Sequence, residues 1–113
     1  MQIKQIAGML GLAGMLAVSS QAVALDADAA QALAKKEGCF KCHAIDKKKE
    51  AQSMKEIAKK YAGKADAEAK ILHHMTAGEK VKSADGTEEE HKVLKTKDQA
   101  EIKNLIAWIL SLK

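Results

Sequence analysis

Two cysteines three positions apart, followed at once by a histidine, constrain this chain more than any other feature: Cys39-Phe40-Lys41-Cys42-His43. C-x-x-C-H is the attachment signature of c-type haem. The two thiols are spaced to add to the two vinyl groups along one haem edge, and the adjacent histidine reaches under the ring to ligate iron from the proximal side. Three other readings compete. A thioredoxin-like redox pair belongs in a βαβ setting, and no convincing strand precedes Cys39. Half of a zinc site needs two further ligands at ordered spacing, and the chain has no second cysteine pair. A local disulfide is the third.

The segment before the motif favours haem. Met1-Gln2-Ile3-Lys4 is a short positive start, Ile6 to Val18 is apolar, and Ala22-Val23-Ala24 is an A-x-A cleavage site. This is the pattern of a secretory signal peptide, with an apolar run short for a membrane span; an uncleaved anchor helix is the alternative. The expected division is a signal peptide over residues 1–24 and one domain over 25–113. Cleavage leaves 89 of the 113 residues and lowers the formal net charge from +4 to +3. The expected destination is the periplasm, which suits a haem attached outside the cytoplasm. So short a chain is marginal for a self-supporting core, and domains of this size often carry a staple. Only Phe40, Tyr61 and Trp108 are aromatic, so a bound group must fill the middle. All nineteen basic residues are lysine, which weighs against nucleic acid, since Arg makes the usual bidentate contacts.

Apolar periodicity predicts an all-α fold of about four helices. Asp26 or Asp28 caps a first helix running to about Glu37, with Ala29, Ala30, Leu33 and Ala34 inward and Gly38 as its stop. The capping box Ser53-Met54-Lys55-Glu56 opens a second, which places Met54, Ile57, Ala58 and Tyr61 on one face and stops at Gly63. A third spans about 65–77, with Glu68, Ile71, Leu72 and Met75 at helical spacing and Gly78 as its stop. The fourth opens at Thr96 or Asp98 and carries Ile102, Leu105, Ile106 and Ile109 on one stripe. Between Gly78 and Asp98 no period is sustained; a loop that long is usually functional, and Asp85-Gly86 offers the turn of a small hairpin.

Gly38-Cys-Phe-Lys-Cys-His-Ala-Ile-Asp46, Lys55-Glu-Ile-Ala-Lys-Lys-Tyr-Ala-Gly63 and Ile106-Ala-Trp-Ile-Leu-Ser-Leu-Lys113 together resemble the small bacterial monohaem class I cytochromes c, which are soluble periplasmic electron carriers. The resemblance covers nearly all of the mature chain. It implies the class I cytochrome c fold, helices around one covalently attached haem c, with the first and last helices crossing near Gly38 and Trp108. It implies Cys39 and Cys42 as the thioether residues and His43 as the proximal iron ligand. The family usually carries Gly-Pro eight and nine residues after the haem histidine, where the proline carbonyl accepts a bond from Nδ1 of that histidine. Here Ala51 and Gln52 stand there, and the Gln52 carbonyl remains available.

The family's distal ligand is a methionine in the loop before the last helix, and this loop has neither Met nor Pro. It has Glu88-Glu89-Glu90-His91-Lys92, with His91 close to the ligand position. His91 is therefore the expected distal ligand, its other nitrogen held by Glu90 or a nearby carbonyl. The alternative is a solvated histidine in a charged loop. Met75 and His74 are reserve distal candidates, although Met75 reads as core and His73 and His74 as exposed. The expected function is one-electron carriage at low potential, because Met/His ligation raises the potential, and not enzymatic catalysis. The alternative is a labile distal ligand that admits a small gas or peroxide. Lys35, Lys36, Lys41 and Lys47–Lys49 lie near the haem motif, so the expected partners are periplasmic or membrane-bound redox proteins with acidic surfaces; a merely solvated lysine face is the other reading.

Overall fold

The computed structural model describes residues 24–113 together with residues 11, 13 and 14, so the expected signal peptide lies almost wholly outside the described residues. Helix α1 (Ala27–Lys36) begins where the Asp26 carboxylate accepts the Ala29 N–H at 2.9 Å, with Asp28 in the first turn and Lys35 and Lys36 in the last, all complementing the helix dipole. It ends at Gly38, whose φ of +80° is a left-handed conformation that a side chain would strain. α1 crosses α4 (Gln99–Ser111) through Ala30 and Ala34, side chains small enough for close approach.

α4 is the spine of the core. Ile102, Leu105, Ile106, Trp108 and Ile109 are all buried, and Leu105 is 0% exposed. The Trp108 ring meets Phe40 edge to face, with centres 6.5 Å apart and planes at 87°. At the outer end of the crossing, Asp26 N–H donates to Asn104 Oδ1 at 3.0 Å and Asn104 Nδ2 donates to the Asp26 carbonyl at 2.8 Å. Helices α2 (Met54–Tyr61) and α3 (Ala67–Thr76) also pack on α4. Ser53 caps α2 by accepting the Glu56 N–H at 3.0 Å, one half of the expected capping box.

The segment between α3 and α4 does contain a hairpin, β1 (Lys80–Lys82) paired antiparallel with β2 (Glu88–Glu90). Lys80 pairs with Glu90 and Lys82 with Glu88, so opposite charges stand across the ladder. Gly86, at φ +87°, makes the turn, and the Asp85 carboxylate accepts the Thr87 N–H at 2.9 Å. The hairpin tip is tied to the loop before α2 by the Ala84 N–H, which donates to the Glu50 carbonyl at 2.9 Å. One expectation needs correction. Ala29 is exposed, because the turn of α1 that meets α4 begins at Ala30. Glu37, at the helix end, is buried. Among the described residues no helix is long and apolar enough to cross a membrane.

Candidate haem-binding site

Beyond Gly38 the chain tightens into a 3-10 turn over Cys39–Lys41, in which the Cys42 and His43 N–H groups donate to the Cys39 carbonyl at 3.3 and 2.9 Å. The turn brings Cys39, Cys42 and His43, all half-buried, to one cavity of about 940 Å³. Its apolar lining comes from all three remaining helices and the loop before α4: Met54, Ile57, Ile71, Met75, Leu94 and Ile109.

His43 Nδ1 donates to the Gln52 carbonyl at 2.7 Å. A carbonyl only accepts, so Nδ1 carries the proton and Nε2 keeps its lone pair. The turn that presents Gln52 is held without glycine or proline. Ala51 N–H donates to the Cys42 carbonyl at 2.9 Å, Met54 N–H to Ala44 at 2.8 Å and Lys55 N–H to Ile45 at 3.1 Å, so backbone bonds replace ring rigidity.

His91 lines the same cavity, with its ring centre 6.3 Å from that of His43 and the planes inclined by 54°. Its Nδ1 donates to the Lys92 carbonyl at 2.9 Å, which again leaves Nε2 with the lone pair. The carbonyl that holds it is thus its neighbour's, and Glu90 stays exposed on β2. The backbone is tethered on both sides of His91: His91 N–H donates to the Glu79 carbonyl just before β1 at 2.8 Å, and Leu94 N–H donates to the Met75 carbonyl at the end of α3 at 3.0 Å.

Of the reserve candidates, Met75 is buried in the core cluster as expected, while also lining the cavity. His73 is exposed and pairs with Glu79 at 2.7 Å. His74, expected to be exposed, is half-buried with its ring centre 4.0 Å from that of His91. Burial pushes the basicity of His74 down, and the neighbouring His91 and His43 push it further. Burial also lowers His91, against the opposing pull of the Lys92 carbonyl.

The Cys39 thiol argues against a disulfide-exchange site. Burial, and then the Glu37 carboxylate, push the Cys39 thiol above its ordinary range, whereas a reactive redox cysteine needs the opposite shift. Among the described residues no three His, Cys, Asp or Glu side chains converge as a protein metal site requires, so the zinc reading lacks its further ligands. What the cavity offers is two thiols and a lone-pair nitrogen on one strand of chain, around an apolar interior.

A family model described as cytochrome c matches residues 27–113. The chain belongs to the cytochrome c family. It is 39% identical over 87 residues to cytochrome c2 of Rhodocyclus tenuis, covering 73% of this chain and 90% of the relative. Cytochrome c-552 of Hydrogenobacter thermophilus is 32% identical over 109 residues, covering 96% and 95%. Among solved structures, the class 1 cytochrome MtoD of Sideroxydans lithotrophicus ES-1 superposes with a TM-score of 0.75 at 58% identity, covering 79% of this chain and 98% of that one. This cytochrome is thus an all-α electron carrier of class I type with one covalently attached c-type haem, and Cys39 and Cys42 fit the attachment motif.

Sequence reasoning missed Glu37. Its carboxylate accepts the N–H groups of Lys95 at 2.8 Å and Thr96 at 3.3 Å, pinning the loop before α4 to the end of α1 beside Cys39. A glutamate in a last helical turn, where the dipole disfavours it, was the available signal.

Proposed function

We propose that this cytochrome is a periplasmic one-electron carrier of low potential, in which Cys39 and Cys42 would hold the haem by thioethers and His43 and His91 would be its two iron ligands. The observation that carries the reading is the pair of lone-pair Nε2 atoms on rings whose centres lie 6.3 Å apart. Two metal–imidazole bonds of about 2 Å, plus roughly 1 Å from each nitrogen to its ring centre, span about the same distance. A bound haem supplies an iron that changes oxidation state by one electron.

The chain's part is to hold that iron in one environment. The Gln52 and Lys92 carbonyls fix both ring tautomers and strengthen the imidazoles as donors. The tethers from Glu79 and Met75 support a retained distal histidine over one that leaves for a gas or peroxide. A site that keeps two imidazole donors for its iron suits electron transfer and not enzymatic turnover.

Ala44, Ile45 and Lys47 border a second, shallower depression beside His43, and Lys47 and Lys48 are exposed next to it. This supports docking of a partner with an acidic surface by a small, salt-sensitive contact. Charges of both signs line each opening: Asp46 borders the depression beside Lys47, and Lys41, Lys48, Lys60, Glu56 and Glu89 line the larger cavity.

The test is optical and EPR spectroscopy of the exported protein beside His91→Met. The wild type should be low-spin without a thioether charge-transfer band. His91→Met should acquire that band together with a higher potential. A thioether band in the wild type, or a His91→Met spectrum identical to it, overturns the assignment of His91.

A further inference from the structure

His74 is left without a role by the two-histidine site, and it lies closer to His91 than His43 does. We propose that His74 is a second distal ligand held in reserve, taking the sixth position on the iron whenever His91 is displaced. This rests on His91 as the resident ligand.

Three observations carry it. The ring centres of His74 and His91 are 4.0 Å apart with planes inclined by 44°, and both rings line the cavity that holds His43. Of the four histidines, His43, His73 and His91 each engage a ring nitrogen in a hydrogen bond, and His74 is the one that does not among the described residues. The two residues also stand on backbones of different kinds. His74 belongs to α3, a regular helix packed on α4. His91 follows β2 in a segment with no helix or strand until α4, held by one backbone bond to Glu79 before β1 and one from Leu94 to Met75 in α3.

The exchange breaks one iron–nitrogen bond and forms another, each made by the lone pair of a neutral imidazole. It moves no electron and needs no co-reactant. When His91 withdraws, the volume of its ring opens beside His74, whose own ring turns about two side-chain torsions from a fixed helix position. Side-chain rotations of this kind are fast. A tethered donor competes at millimolar effective concentration or above. The iron therefore keeps a sixth ligand when the loop moves, which protects carriage of electrons from capture by small ligands.

The experiment compares holoprotein exported with its haem as wild type, His91→Ala, His74→Phe and the double variant, by EPR and by carbon monoxide binding to the reduced forms. Covalent haem content and far-ultraviolet circular dichroism report folding. His91→Ala should stay low-spin, with shifted g values and no thioether band. The double variant should be high-spin and bind carbon monoxide about tenfold faster or more, because the tethered competitor is gone. His74→Phe alone should stay low-spin without a thioether band, because His91 remains.

If His91→Ala is already high-spin, His74 does not reach the iron; the proposal fails while His91 stands as the ligand. A thioether band in His91→Ala puts Met75 there and overturns it equally. If His91→Ala matches the wild type and His74→Phe is the high-spin variant, the assignment of His91 itself is wrong. Should His91→Ala fail to accumulate, His91→Ser opens the same volume and carries the same comparison.

Discussion

Glu37→Gln removes one charge and almost no volume, and tests whether a buried carboxylate braces the loop that follows the distal histidine. Glu37 is 9% exposed, and its oxygens accept from Lys95 N–H at 2.8 Å and Thr96 N–H at 3.3 Å, 58 and 59 residues along the chain. The first bond has the length of a charge-assisted hydrogen bond, worth about 1.5–3 kcal/mol; the second is long and adds about half as much at most. Glutamine keeps one acceptor but turns an NH2 group toward a second N–H donor. The net cost should be about 2 kcal/mol, which for a domain of this size lowers Tm by about 8–16 °C. The assay is guanidinium unfolding of the haem-loaded protein by circular dichroism and by Soret absorbance, with an unchanged m-value as the sign that only stability moved. Hydrogen exchange at the Lys95 amide should accelerate alongside. A Glu37→Gln protein within about 0.5 kcal/mol of wild type, the range of ordinary surface changes, would refute the brace.

Leu105→Ala empties a fully buried site on α4 and should cost about 3–5 kcal/mol in chemical denaturation; a loss under about 1.5 kcal/mol would mean that the crossing is loosely packed. Ser53→Ala deletes the α2 cap and orphans the Glu56 N–H, so a loss of about 1 kcal/mol is expected by the same measurement, and none if α2 is held by packing alone. The bond from Thr87 N–H holds the Asp85 carboxyl below the ordinary aspartate value of 3.8, which the unfolded chain keeps. A depressed folded-state pKa adds stability that is present above pH 3.8 and is lost as pH falls through the lower folded value. The protection of the Thr87 amide, its exchange corrected for the intrinsic rate at each pH, should therefore fall on acidification through that window, and Asp85→Ala should abolish that change; protection independent of pH in the wild type would contradict the turn contact.

The elements legible in the sequence are those set by short-range physics. Asp26, Ser53 and Asp98 each cap a helix as side-chain chemistry requires, and Gly38 and Gly86 mark left-handed turns. The stripe Ile102, Leu105, Ile106 and Ile109 is buried as its spacing demands, and the Asp85-Gly86 pair makes the hairpin turn. The Gln52 carbonyl stands where the spacing from His43 put it, although the bonds that hold it there run from residues 42–45 to 51–55 and leave no trace in composition.

The expectation of His91 came from the family resemblance, and the haem motif and the helices follow from residues a few places apart, where a backbone period or a covalent spacing decides the outcome. Glu37 and His74 do not. A glutamate at a helix end reads as solvent-facing, and so does His74 beside another histidine, although it shares a helix side with Ile71. Only the folded chain brings Lys95 and Thr96 to the first, and His91 within 4.0 Å of the second. Local sequence determines which elements form and which atoms are able to bind. Which of those atoms meet is decided by the tertiary structure, because contacts between residues 17 to 59 positions apart depend on how α1, α3 and α4 pack and not on any periodicity within them.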